Sequence, residues 1–401
     1  MRAARPGHLA AHHGTHRASR RASRRALRQA FRRGSRLAIH LAVAAAAACG
    51  PPGLTTSPSA AREQAPAWQV RPLGGARPID PGTADDTLLD ADGCARCHAA
   101  VAAEWSASRH ALAWTNGIFQ REYAARPLTW CVNCHAPLTT QAAGRFRDRG
   151  VDCATCHVRR GALVSAHRRP GSPHATVEDP GFGSPGFCAD CHQFTFPVLT
   201  ADGAVTRLTA HPMQTTVESF RAGPYATQRD GCMACHGSAA DHAFPGGHDP
   251  GMLEAALDVT WCRRGGDVEV AVRNAAAGHA VPTGDIHRHM NLRVWRSSAP
   301  EALFEAFYGR RFDPADDGGK RTVWDSTILP AATRVHTVAL AGLGGDDAAE
   351  PINLELSYVF LERELPRRGE LVATEPFTTS VVRRRAAPDE LRPCPPGPSA
   401  R

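Results

Sequence analysis

The chain has 401 residues, 42% of them hydrophobic and only 6% aromatic, with 13 Cys, 20 His and a net charge of +8. A basic balance of that size ordinarily points to nucleic acid or an anionic membrane. Residues 1–48 alone hold 11 Arg and no acidic residue, so the rest of the chain is net acidic and its charge gives no ground for a nucleic-acid partner.

Residues 1–48 have the build of an export signal: an Arg-rich segment to Arg36, then the apolar run "LAIHLAVAAAAAC" from Leu37 to Cys49. That run falls short of the ~20 residues of a spanning helix, and no later run approaches that length. "AAAC" before Gly50 is similar to a lipobox, in which Cys49 would be acylated; simple cleavage nearby is the other reading. Either way the expected location is periplasmic, or membrane-anchored on the outer side of the inner membrane. Residues 49–90 are rich in Pro, Gly, Ser and Thr without apolar period and predict a linker.

The chemistry begins at residue 91. Five segments repeat one pattern: Cys94-Ala-Arg-Cys97-His98, Cys131-Val-Asn-Cys134-His135, Cys153-Ala-Thr-Cys156-His157, Cys188-Ala-Asp-Cys191-His192 and Cys232-Met-Ala-Cys235-His236. Two thiols three positions apart can add to the two vinyl groups of one porphyrin while the following imidazole binds its iron, which makes Cys-x-x-Cys-His the attachment signature of haem c. Zinc sites pair two Cys-x-x-Cys knuckles per ion and need no histidine behind them. A plain disulfide framework leaves the histidines unexplained as well. Five covalent haems are therefore expected on residues 91–258, a mainly α and irregular domain packed around its cofactors. With so few aromatic side chains, the porphyrins must supply much of the buried apolar surface, and their loss should unfold the domain.

Each iron then takes a sixth ligand or keeps an open position. Outside the motifs and the export segment stand His110, His167, His174, His211, His242, His248, His279, His287, His289 and His336. Methionine is scarce, so bis-histidine iron, of lower potential than His/Met iron, is expected. The segment "HAAVAAEWSASRHALAW" predicts a helix, which would set His110 about 18 Å from His98 and direct it to another iron. Of His167 and His174 only one need be a ligand, and Pro173 favours His174 by stiffening its approach. His242 and His248 lie on a Gly- and Pro-rich loop ahead of a helix capped by Asp249 with Pro250 at its first position. The distal candidates are thus His110, His174, His242, His248 and, from the next region, His279.

"GCARCHAAVAAEWSASRHALAW", "CVNCH" and "GVDCATCHV" resemble the multihaem cytochrome c family that contains the tetrahaem electron acceptor of hydroxylamine oxidoreductase, over roughly residues 91–250. The resemblance implies that His110 is a distal ligand to a haem bound further along. It also implies that haems pack in close pairs and that one iron can stay five-coordinate. A fifth motif and an appended C-terminal region depart from that pattern.

Residues 259–390 change period. Val268, Val270 and Val272 alternate, as do Ile352, Leu354, Leu356, Tyr358 and Phe360, and further strands are expected at 291–296, 304–311, 334–340 and 377–383. Strands without intervening helices predict an all-β antiparallel sandwich. Between the first two, Gly278 would let the backbone approach a porphyrin and bring His279 in as a distal ligand, with His287 and His289 in reserve. Cys262 and Cys394 match no haem motif and either form a disulfide or stay unpaired, Cys394 lying in a Pro-rich tail of residues 391–401.

The expected function is electron transfer through five haems, with other cytochromes or a quinone-linked membrane complex as partners. Lys320 is the only lysine, so a lysine-ligated catalytic haem is absent. A multihaem oxidoreductase of small nitrogen or sulfur compounds, acting at one five-coordinate iron, is the second reading, and a tethered scaffold the third.

Overall fold

The computed structural model describes residues 78–395, apart from 168–169, 202, 229–230, 238–240, 299–300, 341–349 and 361–377. The export segment, Cys49, residues 50–77 of the linker and the last six residues lie outside them. The described residues belong to one compact unit that runs from Ala65 to Arg401.

The first half is a string of short helices, five of which carry residues of a Cys-x-x-Cys-His motif. Ordered packing starts earlier than the expected residue 91: Ile79 bridges Leu138, and α1 (Asp86–Leu89), capped by Asp85, carries the fully buried Leu89. The N-terminal part of this boundary was invisible because Pro and Gly around Ile79 mask a single bridging residue. Helix α2 (Ala91–Ala95) leads into the first motif, and α3 (Ala99–Ser106) follows it. The helix expected to run on past His110 stops at Ser106. The Ser106 hydroxyl donates back to the Ala103 carbonyl, Ala107 and Ser108 follow, and such side-chain bonds compete with the helical ladder.

Next come α4 (Gly117–Ala125), whose N-cap Asn116 accepts from the Phe119 amide, and α5 (Thr129–His135), which contains the second motif. After α6 (Thr139–Ala142), α7 (Cys153–His157) holds the third. Strands β1 (Val158–Arg159), β2 (Ala162–Ser165) and β3 (Thr176–Glu178) make a small sheet. Helix α8 (Pro185–His192) holds the fourth motif and runs straight into the hairpin β4 (Gln193–Leu199) and β5 (Val205–Thr215). Helix α9 (Thr216–Ala222) precedes α10 (Met233–His236) in the fifth motif, and α11 (Pro250–Ala256) closes the region with Asp249 as cap and Pro250 in its first turn, as the sequence predicts.

From residue 257 on the chain is β: β6 (Leu257–Arg264), β7 (Asp267–Asn274), β8 (His289–Arg296), β9 (Ala302–Pro314), β10 (Lys320–Asp325), β11 (Thr333–Val338), β12 (Ile352–Val359) and β13 (Thr378–Ala386). They form a five-stranded sheet of order β10-β9-β8-β12-β13 and a three-stranded sheet of order β11-β7-β6, every pairing antiparallel. Alternate residues point inward, so Val268, Val270 and Val272 from one sheet and Leu292, Ile352, Leu354 and Leu356 from the other are completely buried in one core. Each such side chain stabilises the fold by about 1.5–3 kcal/mol relative to exposure. Residues 391–395 are not a loose tail. Leu391 is buried, Arg263 and Cys394 exchange backbone hydrogen bonds with the 392–394 segment and its partner strand, and a Cys262–Cys394 disulfide ties β6 to it.

The helical half contrasts with this. Its own cluster of buried hydrophobic residues is Leu89, Leu138, Ala154 and Val158.

Candidate haem-binding site

Each motif histidine is placed by the turn that carries it. In the third motif Asp152 caps α7, accepting from the Thr155 amide and hydroxyl at 2.9 and 3.0 Å, while the Gln141 amide donates to Gly150 O and to Asp152. Burial pushes the Asp152 carboxyl up to about 6 against these hydrogen bonds. In the fourth, Ser184 caps α8 and Pro185 opens it.

The imidazoles are then oriented through Nδ1. His135 Nδ1 lies 2.6 Å from Ala113 O, His157 Nδ1 3.0 Å from Val164 O, His236 Nδ1 2.6 Å from Pro245 O, and His279 Nδ1 2.9 Å from Ala280 O. A carbonyl only accepts, so Nδ1 carries the proton in all four rings and Nε2 presents its lone pair. His192 Nδ1 faces the Gln214 side-chain amide at 3.3 Å, and the amide supplies the same support once its oxygen is turned to the ring. His110 and His192 are held neutral, each pushed down to about 4, first by burial and then by neighbouring histidines.

Four motif histidines face a second imidazole. His98 and His174 stand with ring centroids 6.1 Å apart, His192 and His110 6.3 Å, His157 and His242 6.4 Å, and His236 and His279 6.1 Å. Two imidazoles that bind one metal at about 2 Å each hold their centroids about 6 Å apart. These residues, with a thiol pair beside each, fit a covalently attached, bis-histidine haem.

The fifth motif histidine in this sense is His135. No described imidazole stands opposite it. Phe119 from α4 stacks on its ring instead, 3.7 Å away and within 7° of parallel, backed by Trp114 and Tyr123. Sequence reasoning did not single out Phe119, since nothing in "NGIFQREY" marks a contact with a residue 16 positions later.

His248, expected as a distal ligand, goes elsewhere. Arg109 Nη2 lies 2.7 Å from its Nδ1. A guanidinium only donates, so Nδ1 accepts and the proton of the neutral ring sits on Nε2, the atom an iron would need free. Burial, then Arg109 and Arg288, push the ring down to about 3. It stacks on Phe360 at 3.6 Å, with Arg288 5.2 Å from the same Phe ring. Gly247 before it is required because a Cβ there would come within 2.7 Å of the Tyr358 ring. The remaining histidines are also placed. His287 lies on the loop before β8, where its backbone N–H donates to Asp285 and its carbonyl faces His289 Nδ1. The buried His289 stacks on Phe307, and His336 Nε2 meets the Tyr308 hydroxyl at 2.7 Å. His211 lies 4.0 Å from Asp317, and His167 accepts from the Ser165 hydroxyl through its carbonyl.

The attachment points also meet across motifs. The thiols of Cys94 and Cys153 act on one another at short range, as do those of Cys188 and Cys232 and those of Cys134 and Cys191. The first motif thus abuts the third, and the fourth abuts both the second and the fifth.

The sheet region closes over this cluster. His279 enters from the β7–β8 connection, where Ala280 N donates to the Ser219 hydroxyl and the hydroxyls of Thr216 and Thr283 meet at 2.6 Å. Gly278 does admit a close approach, but by Phe220, whose ring a Cβ would meet at 3.0 Å.

The fold and the repeated site resemble those of multihaem c-type cytochromes. Residues 93–158, which span the first three motifs, match the family model described as cytochrome c554 and c-prime. A solved structure similar to this chain is a penta-heme cytochrome c552 from Thermochromatium tepidum, at a TM-score of 0.57 and 19% identity, covering 75% of this chain and 99% of that one. No curated protein matches.

Proposed function

We propose that this chain carries five covalent haems and transfers electrons through them. The haem supplies one-electron redox chemistry. The protein supplies thiols for attachment and four pairs of facing imidazoles, with Nε2 of His157, His236 and His279 left free by an Nδ1–carbonyl contact. The observation that carries this reading is the set of four imidazole pairs at 6.1–6.4 Å, each joining a motif histidine to a histidine from a distant part of the chain. The thiol contacts support two groups of neighbouring sites, the first with the third and the fourth with the second and fifth. Under the same proposal the chain works outside the inner membrane, released or anchored through Cys49, and exchanges electrons with other cytochromes or a quinone-linked complex.

Intact mass and the haemochrome spectrum test the cofactor count, and electron paramagnetic resonance tests the ligands. Five attached haems with at least four low-spin ferric centres are expected. A mass equal to the bare polypeptide overturns the reading.

One observation favours a second reading beside it. His135 faces Phe119 rather than an imidazole, which suits a five-coordinate iron and reduction or oxidation of a small nitrogen or sulfur compound there. A high-spin ferric signal that shifts when nitrite, hydroxylamine or cyanide is added supports it; five low-spin signals and no turnover remove it.

A further inference from the structure

Arg310 in β9 stands out among the charged side chains that no interaction within the sheet explains. Its Nη2 donates to Met213 O at 2.7 Å and lies 3.5 Å from Gly284 O, and its guanidinium sits 5.2 Å from the Phe312 ring. Nη1 is buried and has no hydrogen-bond partner among the described residues. Asp285 and Asp325 act on it only at a distance, and neither forms an ion pair with it. A buried guanidinium N–H without an acceptor is unfavourable, so an acceptor is expected where it points.

The place is informative. Met213 directly precedes Gln214, whose amide holds His192 of the fourth motif. Gly284 directly precedes Asp285, the charged group that acts on His135 of the second motif. Cys134 and Cys191 of those same motifs touch. The guanidinium therefore enters, from the sheet region, the crevice between the second and fourth attachment sites.

We infer that Arg310 Nη1 donates to a porphyrin carboxylate of the haem at the second or the fourth motif, and that this cation sets the reduction potential of that haem. The inference rests on the haem reading above. Porphyrin propionates are the anions such a crevice would hold, and Arg is the side chain suited to a carboxylate because its fork of N–H donors matches the two oxygens. A fixed positive charge beside a carboxylate lowers the cost of adding an electron to the iron it flanks. Here the β region acts on the redox chemistry by charge, in addition to supplying His279.

The test uses the matured full chain and its Arg310→Gln and Arg310→Lys variants. Intact mass first counts haems; fewer than five in the unaltered chain defeats the haem reading itself, separately from this inference. Spectroelectrochemical titration then reads the potentials. In Arg310→Gln one midpoint falls, with about a tenfold loss in the equilibrium constant for reduction, or ~59 mV for one electron, while the others hold. Arg310→Lys restores most of the shift. A midpoint that belongs to a high-spin centre assigns the second motif, and a low-spin one the fourth. The low-frequency propionate bending bands in resonance Raman spectra shift in the same variant. If all midpoints and those bands stay unchanged in a five-haem Arg310→Gln protein, the inference is overturned. Should that variant lose haem, Arg310→Lys decides alone: five haems with unaltered propionate bands overturn the inference, and a displaced propionate band with midpoints close to those of the unaltered chain sustains it.

Discussion

At the scale of single residues, the group that each imidazole faces separates distal-ligand candidates from bystanders. His110 and His248 look alike in the sequence, both being spare histidines near aromatic residues. The structure sets His110 6.3 Å from His192 and gives the Nδ1 of His248 to Arg109. His110→Ala is expected to convert one low-spin centre to high-spin while all five haems stay attached, read by electron paramagnetic resonance and intact mass. His248→Ala should leave every spin state unaltered and cost stability through the lost stack on Phe360 and the lost Arg109 hydrogen bond, so a new high-spin signal in that variant would contradict the assignment. No pattern in one sequence shows which partner an imidazole nitrogen meets, because Arg109 lies 139 positions away. The motif histidines were legible for the opposite reason: their chemistry is written in five consecutive positions.

At the scale of elements, the sheets were readable where one face is buried and the other is not. Val268, Val270 and Val272 alternate because β7 lies in the middle of its sheet. β10 escaped because all of its residues are exposed and it has no apolar face to betray it. β6 escaped because Leu257 and Val259 follow directly on the apolar turn of α11. Two predictions belong here. The Cys262–Cys394 disulfide closes a 132-residue separation, so its reduction should lower the stability of the β region by up to ~5 kcal/mol, visible as a drop in denaturation midpoint with dithiothreitol; no drop would show the clasp is redundant. His336 accepts from Tyr308 and is pushed below its usual 6.5, by burial first and then Arg334. The unfolded chain therefore binds more protons than the folded one, and the His336 contribution, full above pH ~6.5, is lost as pH falls towards its folded value. Urea midpoints across pH 4.5–7.5 should show a slope that flattens in His336→Gln.

At the scale of the whole molecule, the two halves hold together by different means. The β region has a continuous aliphatic core, whereas the helical region has one small cluster of Leu89, Leu138, Ala154 and Val158, with other buried side chains such as Val132, Phe194 and Phe220 lying outside it. Low aromatic content and five attachment motifs already implied that imbalance, and the structure gives it a location. Chain produced without haem maturation should lose residues 79–256 to limited proteolysis while a fragment from about residue 257 to 395 survives; equal resistance of both halves would mean that the helices fold unaided.

The meeting of thiols from separate motifs bears on how such a protein can be made. Cys94 lies against Cys153, Cys188 against Cys232 and Cys134 against Cys191. A polypeptide that collapsed before ligation would offer those pairs to any oxidant as cross-links and hide them from the vinyl carbons they are meant to capture. Assembly therefore has to run from extended chain to ligated chain to compact chain, and whatever keeps the nascent polypeptide open and reduced is as much a part of the finished molecule's history as the cofactor.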